Sequence, residues 1–438
     1  AFAVRKIFFG EEVQIADAKN YYNYFNLSDL IDFSGTNFTK IIKLTKKVET
    51  TYSGNFPVEK IENLVYAKGG STFPKNFQGS KNISDIPFYK VSDMNSEGNE
   101  KFMDAANNYV EEKILTEEIR ATIFEKNTII FPKVGMAIHT NKKRILSRRA
   151  AIDNNVMAVW IKNENLLTEY LYIFLNFCVN LSDIANNANP PSINLTNFNK
   201  ILVPVPTLEE QKKIIGEFEE IDKKISDCEE KISASDLAIK NKFSEMFGGV
   251  EEKISLGKIC TTLSGGTPDT KNKNFYDGKI AWITTVALGK NFIDESDATK
   301  FISEEAIKNS STHLIPKNTL LFGLRVGVGK SSITKIPICT NQDVVALLDI
   351  DEKIFEKIYL KYFLDSQQKY FDSIKKGMTI QGMTSEELKK ILIPVPPKEM
   401  QEKFAEFVES AEEEKNSAKN LREKYLSERA ALVEKYFR

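Results

Sequence analysis

Two stretches of the chain carry the apolar stripe of a long helix. After Pro206, the residues Ile214, Phe218, Ile221, Ile225, Cys228 and Ile232 recur at alternating steps of four and three. Ile239 and Met246 continue the row, which stops at Gly248-Gly249. That spacing predicts a coiled-coil seam closed by glycine. After Pro397 a weaker row follows: Phe404, Phe407, Ala411, Ala418, Leu421, Tyr425 and Leu432, its alanines permitting close approach. Thr207-x-x-Glu210 has the form of a capping box, and Pro397 suits a first helical position. The other faces are densely charged, the pattern of a solvated surface. Two such helices, each of about 40 residues and so about 60 Å long, pair most simply with each other in antiparallel fashion. The alternative is two separate helices, each docked on its own globular region.

Between these helices the pattern changes to short β-rich runs, including TIIF, VMAVWI, LLFGLRVGV and VVALLDI, punctuated by Gly, Asn and Pro. This reads as α+β with irregular strands and long loops. The chain also repeats itself. Lys200–Lys213 (KILVPVPTLEEQKK) recurs 190 residues later as Lys390–Lys403 (KILIPVPPKEMQEK), identical at nine of fourteen positions. Weaker echoes keep the same order: EKNTIIF with PKNTLLF, EYLYIFLNF with IYLKYFLDS, and GGSTF with GGTPD. A period this long is a duplicated domain rather than a solenoid. The alternating prolines before each helix predict a stiff extended connector. The expected organisation is an N-terminal extension over 1–56, a first globular domain over 57–206, a long helix over 207–248, a second domain over 249–396 and a second long helix over 397–438.

Apolar residues make up 42% of the 438, enough for proper cores, and 60 Lys and Arg balance 61 Asp and Glu. No bulk charge draws this chain to nucleic acid, so any such affinity rests on how charge is distributed. The distribution is uneven. Residues 126–152 hold Lys126, Lys133, Lys142, Lys143, Arg144, Arg148 and Arg149 without a single acid. The matching stretch of the second copy, 306–342, holds Lys308, Lys317, Arg325, Lys330 and Lys335, again without an acid. A surface that meets phosphates excludes carboxylates and offers Lys and Arg among Asn, Ser and Thr donors. Candidate DNA contacts are therefore Lys133, Lys142, Lys143, Arg144, Arg148, Arg149, Arg325, Lys330 and Lys335, joined by Lys271 and Lys273 from the polar run after Gly265-Gly266. The arginines carry most weight, because a guanidinium pairs bidentately with phosphate or guanine.

Catalytic signatures fail on inspection. Asn189-Pro190-Pro191-Ser192 lacks the aromatic fourth residue that would stack on a flipped base. Pro268-Asp269 with Asp277-Gly278-Lys279 places both halves of a nuclease-like pattern in one loop-like run. The glycines at 323 to 329 before Lys330-Ser331 miss the phosphate-loop spacing by one and read as a turn beside a strand. Four separated cysteines and two histidines supply neither a zinc site nor a disulfide framework, which suits a reducing compartment, and no apolar run reaches membrane-spanning length.

Two variable regions, each opening with a glycine pair and closing with ILVPVP…EEQ or ILIPVP…EMQ and a long helix, resemble the specificity (S) subunit of Type I restriction–modification enzymes over about residues 57–438. The second copy, SGGTPDTKNKNFYDGKIAWI, is the closer match; the first, KGGSTFPKN, departs from the G-G-T-P spelling. The resemblance implies two similar α/β target-recognition domains separated by two long antiparallel coiled-coil helices, an internal repeat with pseudo-two-fold symmetry. Each domain would read one half of a bipartite site in double-stranded DNA. The helices would set the gap and dock two modification (methyltransferase) subunits. It further implies no catalysis, cofactor or metal in this chain. The modification subunits would use S-adenosylmethionine, the restriction subunits of the full complex would use ATP with Mg, and the location would be cytoplasmic. The segment YYNYFNLSDLIDFSGTN is similar to the tail joining methyltransferase domains to a fused specificity region, so the alternative is the recognition portion of a longer fused polypeptide.

Overall fold

The computed structural model describes residues 54–438 except 55, 81, 163, 187 and 375–381. The expected extension over 1–56 therefore lies almost wholly outside the described residues. Two compact units emerge: one runs to Lys223 and takes in Tyr425–Arg438, the other is Lys224–Lys424. Each unit thus holds a stretch of both long helices.

The first unit is built on a five-stranded sheet of β1 (Val65–Gly69), β2 (Phe102–Met103), β3 (Ile129–Pro132), β4 (Arg144–Leu146) and β5 (Val156–Ile161), in the order β1-β5-β3-β4-β2. All neighbours are antiparallel except β2 with β4. Alternate side chains feed two cores. Ile129, Phe131, Met157 and Val159 pack with the helix α1 (Thr168–Cys178), while Ile130, Val156 and Ala158 pack into a second cluster with Tyr89, Met103 and Leu146. Burial on both faces explains why TIIF and VMAVWI read as unbroken apolar runs rather than alternating ones.

The second unit repeats this plan. Its sheet comprises β6 (Thr261–Ser264), β7 (Phe292–Ile293), β8 (Leu320–Gly323), β9 (Ser331–Thr334) and β10 (Val344–Leu348), in the order β6-β10-β8-β9-β7. Strand for strand the pairing matches, including the single parallel pair of β7 with β9. Leu320, Phe322, Val345 and Leu347 face the helix α2 (Lys357–Ser366), and Leu321, Val344 and Ala346 the other core. LLFGLRVGV is not one strand: the chain leaves the sheet after Gly323 into a turn.

The glycine pairs align differently from their spelling. Gly70 N–H donates to Val156 O and Ser71 N–H to Ile152 O; Gly265 N–H donates to Val344 O and Gly266 N–H to Thr340 O. Gly70 therefore answers to Gly265, not Gly69. A Cβ on either would lie 2.1–2.4 Å from oxygen atoms of the neighbouring segment, so only glycine fits.

The proline connectors are extended as expected, and each is also paired. Leu202–Pro204 forms an antiparallel ladder with Val58–Lys60, and Leu392–Pro394 with Lys253–Ser255. A clamp then fixes each helix entry. Gln211 is fully buried; its Oε1 accepts from Leu167 N–H (2.8 Å) and its Nε2 donates to Asn165 O and Pro206 O (2.9 Å each). Gln401 repeats all three bonds with Glu356 N–H, Ile354 O and Pro396 O, each 2.9 Å. Tyr170 and Tyr359 hydroxyls donate to Pro204 O and Pro394 O.

The long helices span Leu208–Phe247 and Lys398–Phe437. Thr207 Oγ1 accepts from Glu210 N–H at 3.3 Å, while the Glu210 carboxylate turns to Lys213. In the first unit Glu217 accepts from the Tyr436 hydroxyl and pairs with Lys435, and Asp222 pairs with Arg429 at 2.8 Å. In the second, Glu229 pairs with Arg422 at 2.8 Å and Asp236 with Lys415. Numbers rise on one helix as they fall on the other, so within each unit the helices pair antiparallel. Two independently docked helices are excluded by these pairs.

Ile214, Phe218, Ile221, Ile225 and Cys228 are buried as expected, and Ile232 half-buried. In the second helix Phe404, Ala411 and Ala418 are buried, and Phe407 and Tyr425 half-buried. Leu421 is 44% exposed and does not belong to the seam. Val408 does, and the intervening seam positions fall on Lys415, Arg422 and Arg429, one heptad apart. Their aliphatic stems cover the apolar row while their charged heads reach the acids on the partner helix. A reading confined to apolar residues passes over such positions.

Candidate nucleic-acid interface

The basic residues divide into struts and free cations. Lys143 is fully buried, and its Nζ donates to Val179 O (2.6 Å) and Asn141 Oδ1 (2.8 Å). Burial pulls its pKa down to about 7. It ties the start of β4 to the end of α1 and does not reach solvent, so its expected DNA contact is corrected. Arg144 is half-buried; it donates to Lys143 O (2.8 Å) and Met94 O (3.1 Å), and burial lowers its pKa. It braces Met94 against β4, which removes it as a leading candidate.

The acid-free windows are less acid-free in space. Arg149 pairs with Glu112 (2.9 Å) and with Glu125 (3.2 Å), the residue just before the first window. The Glu112 hydrogen bond raises its pKa. Arg325 lies 3.7 Å from Asp343, the residue just after the second window. Sequence windows end where sequence ends, and folding brings the flanking acids back.

The remaining cations make no ion pair with a described residue. In the first unit, Lys133 lies over Gly69, Lys142 donates to Asn95 Oδ1, and Arg148 sits 5.4 Å from the Tyr109 ring and donates to Ile83 O at 3.4 Å. In the second, Lys271 and Lys273 are exposed on a loop and its 3-10 turn (Lys273–Tyr276), Lys330 is exposed beside Gly327, and Lys335 stands over Phe292 at 5.2 Å. These seven lie on loops and strand ends, where sugar-phosphate contact is accessible.

The residues of the three motifs considered above make local turn contacts. Asp269 Oδ1 accepts from Lys271 N–H in a local turn. Ser192 Oγ accepts from Asn186 Nδ2. Gly323–Gly329 closes on itself through Gly329 N–H to Gly323 O and Gly323 N–H to Lys330 O. Among the described residues, no group of three or more His, Cys, Asp or Glu converges as metal ligands, and no helix is long and apolar enough to cross a membrane.

The sequence reading missed the Gln211 and Gln401 clamps, although both glutamines lie among the identical repeat positions. It also missed the exposed apolar tips of the loops, Met136 at 73%, Val286 at 83% and Val326 at 59% exposure.

Comparison with known proteins fits this architecture. The chain is 32% identical over 148 residues to the Type I restriction enzyme MjaIX specificity subunit of Methanocaldococcus jannaschii, covering 34% of each chain. It is 30% identical over 175 residues to the EcoR124I/EcoR124II specificity subunit of Escherichia coli, covering 39% of this chain and 43% of that protein. These matches thus span about a third to two fifths of the relatives' length. The fold is shared with the crystal structure of the Type-I restriction-modification system S subunit from M. genitalium, at a TM-score of 0.54 and 15% identity, over 90% of this chain and 98% of that one. The model of the Type I restriction modification DNA specificity domain matches twice, at residues 54–235 and 250–424, once for each copy of the duplicated plan. With both copies matched, the chain belongs to the Type I restriction modification DNA specificity family.

Proposed function

We propose that this chain is the non-catalytic specificity subunit of a Type I restriction–modification system, each unit reading one half of a bipartite site in double-stranded DNA. The observation that carries this reading is the strand-for-strand duplication of a unit whose loops present cations without ion-pair partners among the described residues. Phosphate contact by Lys133, Lys142, Arg148, Lys271, Lys273, Lys330 and Lys335 would supply affinity and register. Polar and apolar side chains beside them would read base edges. The paired helices would fix the gap between half-sites and dock two modification subunits, with restriction subunits joining the complete assembly. S-adenosylmethionine, ATP and Mg would belong to those partners, and the setting would be the cytoplasm.

Surface ion pairs contribute little stability singly. The heptad-spaced pairs of the helices suit a role in register, since a slip of one residue would misalign all of them.

Selection of the full-length chain against a pool of randomised duplexes tests the proposal. Two short specified blocks separated by a gap of fixed length support it. A single block, or no enrichment, overturns it.

A further inference from the structure

The second unit holds two exposed valines on one cluster of loops. Val326 lies in the turn after β8, between Arg325 and Gly327, with φ +41°. A β-branched residue rarely adopts this conformation, which persists only where the surroundings enforce it. Here they do. Leu324 and Val328, on either side of the tip, are buried. Gly323 N–H donates to Lys330 O (2.9 Å), Lys330 N–H to Gly327 O (3.1 Å) and Met383 N–H to Leu324 O (2.9 Å). Gly329 sits so close to Gln368 and Phe371 that no Cβ fits.

Val286 is the most exposed large apolar residue described, in the 3-10 turn Thr285–Ala287. That turn leads into Leu288, whose Cδ1 lies 3.5 Å from the Cβ position of Gly323, and Gly289, which donates to Ser331 O and Ser332 Oγ. The two tips are thus anchored to the same strand ends. Arg325 and Lys330, both exposed, flank them; Arg325 lies beside Asp343, whereas Lys330 makes no ion pair with a described residue.

An apolar side chain held rigid in water, among cations, gains nothing for the fold. It suits a ligand that offers both phosphate and a methyl group, and the major groove of DNA offers both: thymine alone presents a C5-methyl there. Resting on the DNA-recognition reading above, we infer that Val326, supported by Val286, is a specificity-determining residue of the second unit, which reads the methyl of a thymine while Lys330 reaches a neighbouring phosphate. The half-site of this unit therefore contains at least one A·T pair. In the first unit the bridge of Val134 with Ser192 answers to that of Arg325 with Gly382, so Gly135 (φ +85°) stands where Val326 does and the exposed Met136 follows it.

The test uses the full-length chain and its selected duplex. Each thymine is replaced in turn by uracil, which removes the methyl and leaves the hydrogen-bonding edges unchanged. The native chain should lose about fourfold in affinity at one or more thymines of one half-site, the amount expected for one buried methyl. Val326→Gly, which the backbone accommodates without strain, should bind thymine and uracil duplexes equally at that position, and Val286→Ser should reduce the discrimination. Circular dichroism and thermal melting confirm folding of both variants. A half-site without A·T pairs, indifference of the native chain to uracil, or discrimination unchanged in Val326→Gly would overturn the inference while leaving bipartite recognition intact. Failure to select any blocks would instead remove the DNA-recognition reading itself.

Discussion

Among the described residues, the two units bury one lysine each at corresponding places, between the start of the fourth sheet strand and the helix α1 or α2, and they do so with opposite chemistry. In the first, Lys143 comes from the strand side and meets only the neutral acceptors Val179 O and Asn141 Oδ1. In the second, Lys361 comes from α2 and meets Asp365 at 2.6 Å, whose other oxygen accepts from Ser331 Oγ at 2.6 Å. Sheet order, strand sense and the glutamine clamp are the same in both. Duplication has preserved what the backbone requires and left the polar filling of the groove free to diverge. One unit carries a neutralisable lysine, the other a compensated pair.

The largest effects should come from breaking what is paired or clamped. Lys361→Met leaves Asp365 beside a buried groove without its cation and should destabilise by about 2–4 kcal/mol, moderated because Asp365 remains partly in water. Gln211→Ala and Gln401→Ala each orphan a backbone N–H and two carbonyls and should cost about 2–4 kcal/mol. Urea unfolding measures all three. Similar losses from the two glutamines would confirm that the clamp is the common part of the plan; a neutral result at one would break the equivalence there.

A smaller effect separates the lysines by pH. The native state holds Lys143 neutral above about pH 7, whereas the unfolded chain keeps it charged to its ordinary value near 10.5. Between these values the unfolded state binds the extra proton, so this group's contribution to stability rises with pH, by up to about 1.4 kcal/mol per unit. From pH 7 to pH 9 the native chain should gain roughly 2 kcal/mol more than Lys143→Met. Equal gains would show that Lys143 stays charged when buried.

The smallest effects concern binding. Lys271→Ala with Lys273→Ala, and Lys142→Ala with Arg148→Ala, should each lower the slope of log affinity against log salt by about 2. Arg149→Ala, already paired with Glu112 and Glu125, should lower it by less than 1.

These outcomes also mark what the sequence made legible. The helices, their seam and the duplication were readable because each is a periodic signal carried by many residues. The exposure of single residues was not. Nothing near Lys143 announces that Val179, 36 positions later, will cover it. Nothing at Arg149 indicates that Glu112 folds back onto it. The seam of the second helix was half-read, because Lys415, Arg422 and Arg429 look solvated until their acidic partners are in place. Gln211 and Gln401 did carry a signal, since both sit inside the identical repeat, but its meaning required the backbone groups that they bind. Val326 lay in a β-rich run, yet its glycines already read as a turn beside a strand, and the hydrogen bonds between Gly323 and Lys330 bear out the turn.

Under the proposed function, equivalent units read separate halves of one site. The most direct test is binding-site selection with a chain in which residues 249–396 are replaced by a second copy of 57–206, with folding verified by circular dichroism. The half-site of the second unit should disappear and the first half-site appear twice, once on each side of the gap. Retention of the original asymmetric site, or a site with a single block, by a folded duplicate would contradict the proposed function.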